Sequence, residues 1–215
     1  MPEQRITAIE TQERRGNRRS IFVDGKFALG VDETIVADLG LRVGQVISEE
    51  ELKSVVHAEL VVKAKEKALT FLEYRQRSRA EVSGRLMKHG FSDDIIEEVL
   101  KRLEVVGLLN DAEFSQSWVN HRVSGSMGKK RIKWELRRKG VSQDVAEEAV
   151  SSIDDDTEYR SALESASRRW NKDRCTDEYT RRRKLVSYLQ RQGFGWELIS
   201  RILNELKAND EPEWT

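Results

Sequence analysis

Proline and cysteine are nearly missing from this chain. Two prolines in 215 residues leave long stretches with nothing to interrupt a helix. The one cysteine, Cys175, excludes an intramolecular disulfide and suits a reducing compartment. Long apolar runs are missing too, since no stretch approaches the ~20 residues of a membrane span. Glu3 and Arg5 interrupt any apolar core in MPEQRITAIE, so it does not read as a signal peptide. Net charge is also absent, because 38 Lys and Arg offset 38 Asp and Glu. These absences lead us to expect a soluble cytoplasmic protein with no membrane contact.

Recognisable catalytic machinery is absent as well. His57, His89 and His121 fall in three separate segments, with none of the clustering that metal sites use. No GxxxxGK[ST], GxGxxG or GxSxG stretch occurs. Paired acids such as Asp93-Asp94 fall where first helical turns begin, and capping accounts for them. The expectation is a non-enzyme without metal or cofactor.

What is present is charge and repetition. Charged residues make up 35% of the chain, against roughly 25% in an ordinary soluble protein. Leu86 to Leu100 reads LMKHGFSDDIIEEVL, Leu136 to Val150 reads LRRKGVSQDVAEEAV, and Leu189 to Leu203 reads LQRQGFGWELISRIL. Gly90, Gly140 and Gly193 set the register of this repeat. Ahead of each glycine stand apolar anchors four apart: Val82 and Leu86, Ile132 and Leu136, Leu185 and Leu189. Glycine after a basic turn is a helix C-cap, and the apolar Phe91, Val141 or Phe194 follows it. Ser92 and Ser142 then offer N-caps for a second helix. Asn110 to Glu113 and Asp155 to Glu158 have capping-box spacing, which places a further helix before each pair. Phe114 and Trp118 in one of these helices match Tyr159 and Leu163 in the next, so Trp118 reads as core.

The first 48 residues follow a different period. ITAIETQE, RRSIFVDG and KFALGV read as three strands, with Gly16-Asn17 and Asp24-Gly25 as hairpin turns. A short helix then ends at Gly40, and SEEE from Ser48 opens a long helix. The expected fold is mainly α, with three tandem three-helix repeats of helix-turn-helix character and a small N-terminal β extension. Its divisions are 1–48 (extension), 49–106 (long helix and first repeat), 107–153, 154–208 and a tail, 209–215.

The cations collect on the helix that ends at the repeated glycine. The first, from Arg75, carries Arg75, Arg77, Arg79, Arg85 and Lys88, opposed by Glu81. The second carries Lys129, Lys130, Arg131, Lys133, Arg137, Arg138 and Lys139, opposed by Glu135. The third carries Arg181, Arg182, Arg183, Lys184 and Arg191, with no acid between them. One such helix is ordinarily a solvated face, but three in equivalent places would form a stripe suited to a polyanion. Lys129, Lys130, Arg131 and Lys133 are expected to face solvent at its centre. Trp134 lies between Lys130 and Arg138 at i±4, where the repeat asks for no large side chain. It could stack on a base, anchor a protein contact or pack between units, and Trp196 raises the same question.

Gly107-Leu108-Leu109-Asn110-Asp111 with Phe114, Gly128, Arg131-Ile132, Glu135-Leu136 and Lys139-Gly140-Val141 resemble the central signature of the RecX family. Arg77-Ser78-Arg79 with Leu86 and Gly90 resembles its N-terminal part, and the likeness covers residues 70–208. Asn110 stands where the family favours Asp, and Lys129 where it often has Pro. The resemblance implies a bacterial regulator of homologous recombination and the SOS response. Such a protein binds RecA filaments on DNA and inhibits ATP hydrolysis and strand exchange. It implies that the basic helices named above meet DNA or an acidic filament surface, and their cations together with Trp134 are the expected DNA or filament contacts. Single- or double-stranded DNA is expected to be bound more weakly alone, and the protein to work as a monomer. The rival class is a helical DNA-binding protein acting without RecA, although three dispersed basic helices do not supply one recognition helix with dimer symmetry. A nuclease would need clustered carboxylates for metal.

Overall fold

The computed structural model describes residues 4–13, 15–173 and 177–210. Cys175 and the chain beyond residue 210 lie outside the described residues. Three strands, β1 (Gln4–Gln12), β2 (Arg15–Val23) and β3 (Lys26–Asp32), are followed by α1 (Glu33–Asp38) and β4 (Val46–Ile47). The helices α2 (Glu49–Leu72), α3 (Arg79–Lys88) and α4 (Asp93–Val105) come next. They are succeeded by α5 (Asp111–Ser124), α6 (Lys129–Arg138) and α7 (Gln143–Ser151), then α8 (Asp155–Lys172), α9 (Glu178–Gln192) and α10 (Trp196–Asp210). The fold is mainly helical with a small N-terminal antiparallel sheet, as the periodicities require. No helix among the described residues is long and apolar enough to cross a membrane.

The chain forms two compact units. One takes the chain up to Gln76 together with Val82–Leu108; the other takes Arg77–Glu81 and everything from Leu109 onward. In the first unit the sheet runs in the order β3-β2-β1-β4. Asp24 and Gly25 turn β2 into β3 with φ of 50° and 78°, the left-handed pair that a two-residue hairpin needs. Gly16 and Asn17 are not a turn: Gln12 pairs with Arg15, which places both inside β2. The sheet is less separate from the helices than its sequence suggested. Val55 of α2 belongs to the same core as Ile6, Ile21, Val31, Ile35 and Ile47. Glu59 of α2, only 4% exposed, accepts from the Asp32 amide at 2.9 Å and pairs with Arg18 at 2.5 Å. Burying a carboxylate is costly, and here a backbone donor and a guanidinium offset that cost. The other end of α2 packs against α4, whose Ile95, Ile96, Val99, Leu100 and Leu103 are buried at helical spacing.

The second unit holds two three-helix cores. One joins Phe114 and Val119 of α5 to Ile132 and Leu136 of α6 and Ala146 and Val150 of α7. The other joins Ala162, Ala166 and Trp170 of α8 to Leu185 and Leu189 of α9 and Ile199 and Ile202 of α10. Asn110 caps α5 through bonds from the Ala112 and Glu113 amides. The cap of α8 is Asp154, one residue earlier than the spacing suggested, and it accepts from the Thr157 amide. Glu158, freed from capping, accepts instead from the Lys129 amide. At the far end α10 runs to Asp210.

The repeated glycines do more than cap. Gly90, Gly140 and Gly193 have φ of 83°, 80° and 90°. The amide that follows each donates back to Leu86, Leu136 or Leu189, closing the helix end. In the second unit a helix start from earlier in the chain also sits on each of two of these caps. Ser78 Oγ donates to the Lys139 carbonyl at 2.6 Å, and the Arg79 amide donates to Asp111 at 2.7 Å. A Cβ on Gly140 would come 2.2 Å from the Ala80 Cβ. One repeat later the Gly128 amide donates to the Gln192 carbonyl at 2.9 Å, and the Lys130 amide to the Gly193 carbonyl at 3.3 Å. A Cβ on Gly193 would lie 2.4 Å from the Arg131 nitrogen. Gly90 has nothing within 4 Å of a Cβ position.

This difference gives a test. Gly90→Ala should cost only the left-handed backbone penalty, about 1–2 kcal/mol. Gly140→Ala and Gly193→Ala should each lose roughly 1–3 kcal/mol more, because a Cβ overpacks the junction. Chemical denaturation of the three variants, followed by circular dichroism, measures this; equal losses at all three positions would contradict the junction.

Candidate nucleic-acid interface

The basic helix α6 presents two faces with different fates. Ile132 and Leu136 are fully buried, which fixes how the helix is rolled. Lys129, expected to face solvent, is drawn onto α8, 3.1 Å from Asp155 and 3.4 Å from Glu158. Burial works against its charge, but the hydrogen bond to Asp155 and the charge of Glu158 outweigh burial and raise its pKa. Arg131 is likewise internal in its bonding: it reaches Glu135 at 3.3 Å and donates to Gln192 of α9 at 2.9 Å. Lys133 pairs with Glu147 of α7 at 2.5 Å, and that contact holds the Glu147 carboxyl below its ordinary pKa. Lys139 pairs with Glu81 at 3.0 Å. Three of the four cations expected at the centre of a solvent-facing stripe therefore serve as cross-links between helices, because the acids of α7, α8 and α6 itself lie within reach.

Lys130, Trp134 and Arg138 form the outward ridge, at i, i+4 and i+8 on one face. Trp134 is 56% exposed, and the Arg138 guanidinium lies 4.7 Å from its ring centre. Among the described residues neither Lys130 nor Arg138 has an acidic partner within 4 Å. Arg137 is exposed and donates to the Val141 carbonyl at 2.9 Å.

The remaining basic residues divide in the same way. On α9, Arg181 lies 3.6 Å from the Trp170 ring centre and donates to the Trp170 carbonyl. Arg182 pairs with Glu178 at 3.3 Å and Lys184 with Asp173 at 3.8 Å. Arg183 is exposed, with no acidic partner among the described residues. Arg77 and Arg79 are half-buried, at the junction where the Arg79 amide meets Asp111. In the first unit Lys88 is exposed, and exposed Arg85 lies 5.6 Å from the Phe71 ring centre. Trp196 is 60% exposed.

Between α5 and α6 lies a feature the sequence did not disclose. A cleft of about 530 Å³ is lined by Trp118, Arg122, Trp134, Glu135, Arg138 and Lys139. Trp118 is half-buried and packs against the core of α5, α6 and α7, and its indole N–H donates to Glu135 at 3.1 Å. Lys139 and Arg122 lie 4.2 and 4.4 Å from its ring centre. Glu135 also pairs with Arg122 at 2.7 Å, so one carboxylate organises three neighbours. The i, i+4 spacings of Trp118 with Arg122 and of Glu135 with Lys139 were visible in the sequence, but the crossing that unites them was not.

Known proteins resemble this chain along almost its whole length. The family model for the regulatory protein RecX N-terminal domain matches residues 4–48. Models for the first, second and third RecX three-helix domains match residues 64–103, 110–150 and 156–203. The regulatory protein RecX of Clostridioides difficile strain 630 is 36% identical over 207 residues, covering 96% of this chain and 97% of that one. The regulatory protein RecX of Bacillus subtilis strain 168 is 34% identical, over 96% of this chain and 79% of that protein. A crystal structure of regulatory protein RecX superposes with a TM-score of 0.80 at 24% identity, over 94% of this chain and 99% of that one. That of RecX from Lactobacillus salivarius gives 0.65 at 27% identity, over 70% of this chain and 99% of that one.

Glu135 tests this arrangement. Glu135→Ala removes the acceptor for the Trp118 indole and the counter-charge of Arg122 and Arg131. It should destabilise the protein by roughly 2–3 kcal/mol, read as a lower urea midpoint with an unchanged slope. An unshifted midpoint would show that Glu135 organises nothing.

Proposed function

The chain belongs to the RecX family of regulatory proteins, and from that premise we propose that it restrains homologous recombination by lodging on the RecA–DNA filament. There it inhibits ATP hydrolysis and strand exchange without being an enzyme itself. The observation that carries the reading is the sorting of cations on α6. Those that could be satisfied within the fold are satisfied, while Lys130 and Arg138 flank an exposed Trp134 and are left for an outside anion. The working form in this reading is a cytoplasmic monomer without cofactor, divided at 1–48, 49–106, 107–153 and 154–208.

Several modest contacts from one chain add through effective concentration, so a filament of repeating subunits would be bound more tightly than DNA alone. Lys130, Arg137, Arg138 and Arg183 in the second unit, and Arg85 and Lys88 in the first, are the proposed phosphate or filament contacts. The bonded cations Arg77, Arg79, Lys129, Arg131, Lys133, Lys139, Arg181, Arg182 and Lys184 would shape the surface and add to its field.

The direct test is RecA ATPase on single-stranded DNA with the protein titrated in. Inhibition should set in well below the concentration at which the protein binds DNA without RecA. Unchanged ATPase together with tight, sequence-specific duplex binding would favour the RecA-independent rival. Changing Lys130 and Arg138 to Glu should weaken filament binding and flatten its salt dependence by roughly 0.7 in slope for each single-strand phosphate no longer neutralised. An unchanged slope in a folded variant would remove the ridge from the binding surface.

A further inference from the structure

We propose that the cleft between α5 and α6 receives one unstacked base of a single strand, with Trp134 as its stacking platform. The proposal deepens the functional reading above and rests on its claim of contact with the strand, not on any claim about RecA.

The two tryptophans of the cleft are in different states. Trp118 is committed: Phe114 stacks on it at 6.0 Å, two cations lie over its ring, and its N–H is bonded to Glu135. Trp134 is 56% exposed and meets only the Arg138 guanidinium among these cations. The repeat requires no large side chain at this position, since Gly84 and Ser187 stand there in the other two copies. An exposed indole has no stabilising part in the core, so its surface is available to a ligand.

The charge of the cleft narrows that ligand. Its carboxylates are already paired, Glu81 with Lys139 at 3.0 Å and Glu135 with Arg122 at 2.7 Å. Arg138 is left as the cation without an acidic partner among the described residues. A cationic ligand would be repelled by three basic side chains. An apolar side chain of a protein could cover Trp134 but would leave Arg138 without a counter-charge. A flat ring carrying an adjacent anion satisfies both groups, and a nucleotide in a single strand is that combination. Stacking on an aromatic side chain tolerates every base, which suits a protein that meets many sequences. A paired base would first have to leave its duplex at a cost comparable to the gain from stacking, so the cleft selects single strands.

The test uses the full chain without RecA. Fluorescence anisotropy would compare a labelled oligothymidylate with an all-abasic strand of the same length. The wild-type protein should prefer the strand with bases by roughly 5- to 100-fold. Trp134→Ala should bring oligothymidylate binding down to the abasic level, leave abasic binding unchanged and leave the salt slope unchanged. Trp134→Phe should restore most of the preference. Circular dichroism would check that the variants fold, which an exposed site should permit.

Equal wild-type affinity for the two strands would overturn the proposal. So would an equal loss on both strands in Trp134→Ala, or loss of RecA inhibition by that variant with strand binding intact, which would make Trp134 a protein contact. A wild-type protein that inhibits RecA but binds neither strand would sink the cleft and leave the regulator reading standing. Base-dependent binding without inhibition would do the reverse.

Discussion

The contact between a helix start and a glycine-capped helix end governs the second unit. At Gly140 and again at Gly193 the chain needs a left-handed residue to close one helix, and it needs empty space so that the start of an earlier helix can approach. Only glycine meets both demands. The approach also brings helix ends of opposite polarity together, the start of α6 against the end of α9, which lets their partial charges offset one another. Orphan amides find orphan carbonyls there: Gly128 donates to Gln192 and Lys130 to Gly193. Small three-helix sets bury little surface alone, and within the second unit this junction lets the α5–α7 and α8–α10 sets share their ends.

The roll of α6 follows from that constraint, and the distribution of charge follows from the roll. With Ile132 and Leu136 turned into the core and the first turn held on Gly193, Lys129 and Lys133 fall beside acids of α8 and α7. Arg131 falls beside Gln192, while Lys130, Trp134 and Arg138 are turned outward. A zero net charge is thus compatible with a local surface that attracts polyanions. Asp155, Glu158, Glu135 and Glu147 are taken up in cross-links to Lys129, Arg131 and Lys133, while Lys130 and Arg138 stay exposed on one ridge. Most exposed ion pairs contribute little to stability. What pairs such as Lys133–Glu147 do contribute is a choice of which basic groups stay available.

Much of this was legible in the chain. Period-two strands, the Ser48 capping box, the glycine register and the three helix sets all follow from local rules that act over a few residues. The errors were local as well. Gly16-Asn17 has turn chemistry but sits within β2, because pairing of Gln12 with Arg15 fixed the hairpin earlier. Asp154 displaced Asp155 as the cap of α8, since three consecutive aspartates offer the same chemistry. What the sequence could not disclose is contact between segments far apart. Lys139 meets Glu81 across 58 positions and Arg131 meets Gln192 across 61, so the cations that looked like one solvated stripe could not be sorted into bonded and outward groups. The cleft was hidden for the same reason, because its two walls are on different helices.

The central claim is that the outward ridge of α6 is where this protein meets its target. Hydrogen-exchange mass spectrometry of the full chain, alone and on RecA filaments formed on single-stranded DNA, tests it most directly. The account predicts slower exchange across residues 128–140 on binding, with the β1–β3 sheet little changed. Slower exchange confined to the sheet, with α6 exchanging as in the free protein, would contradict it.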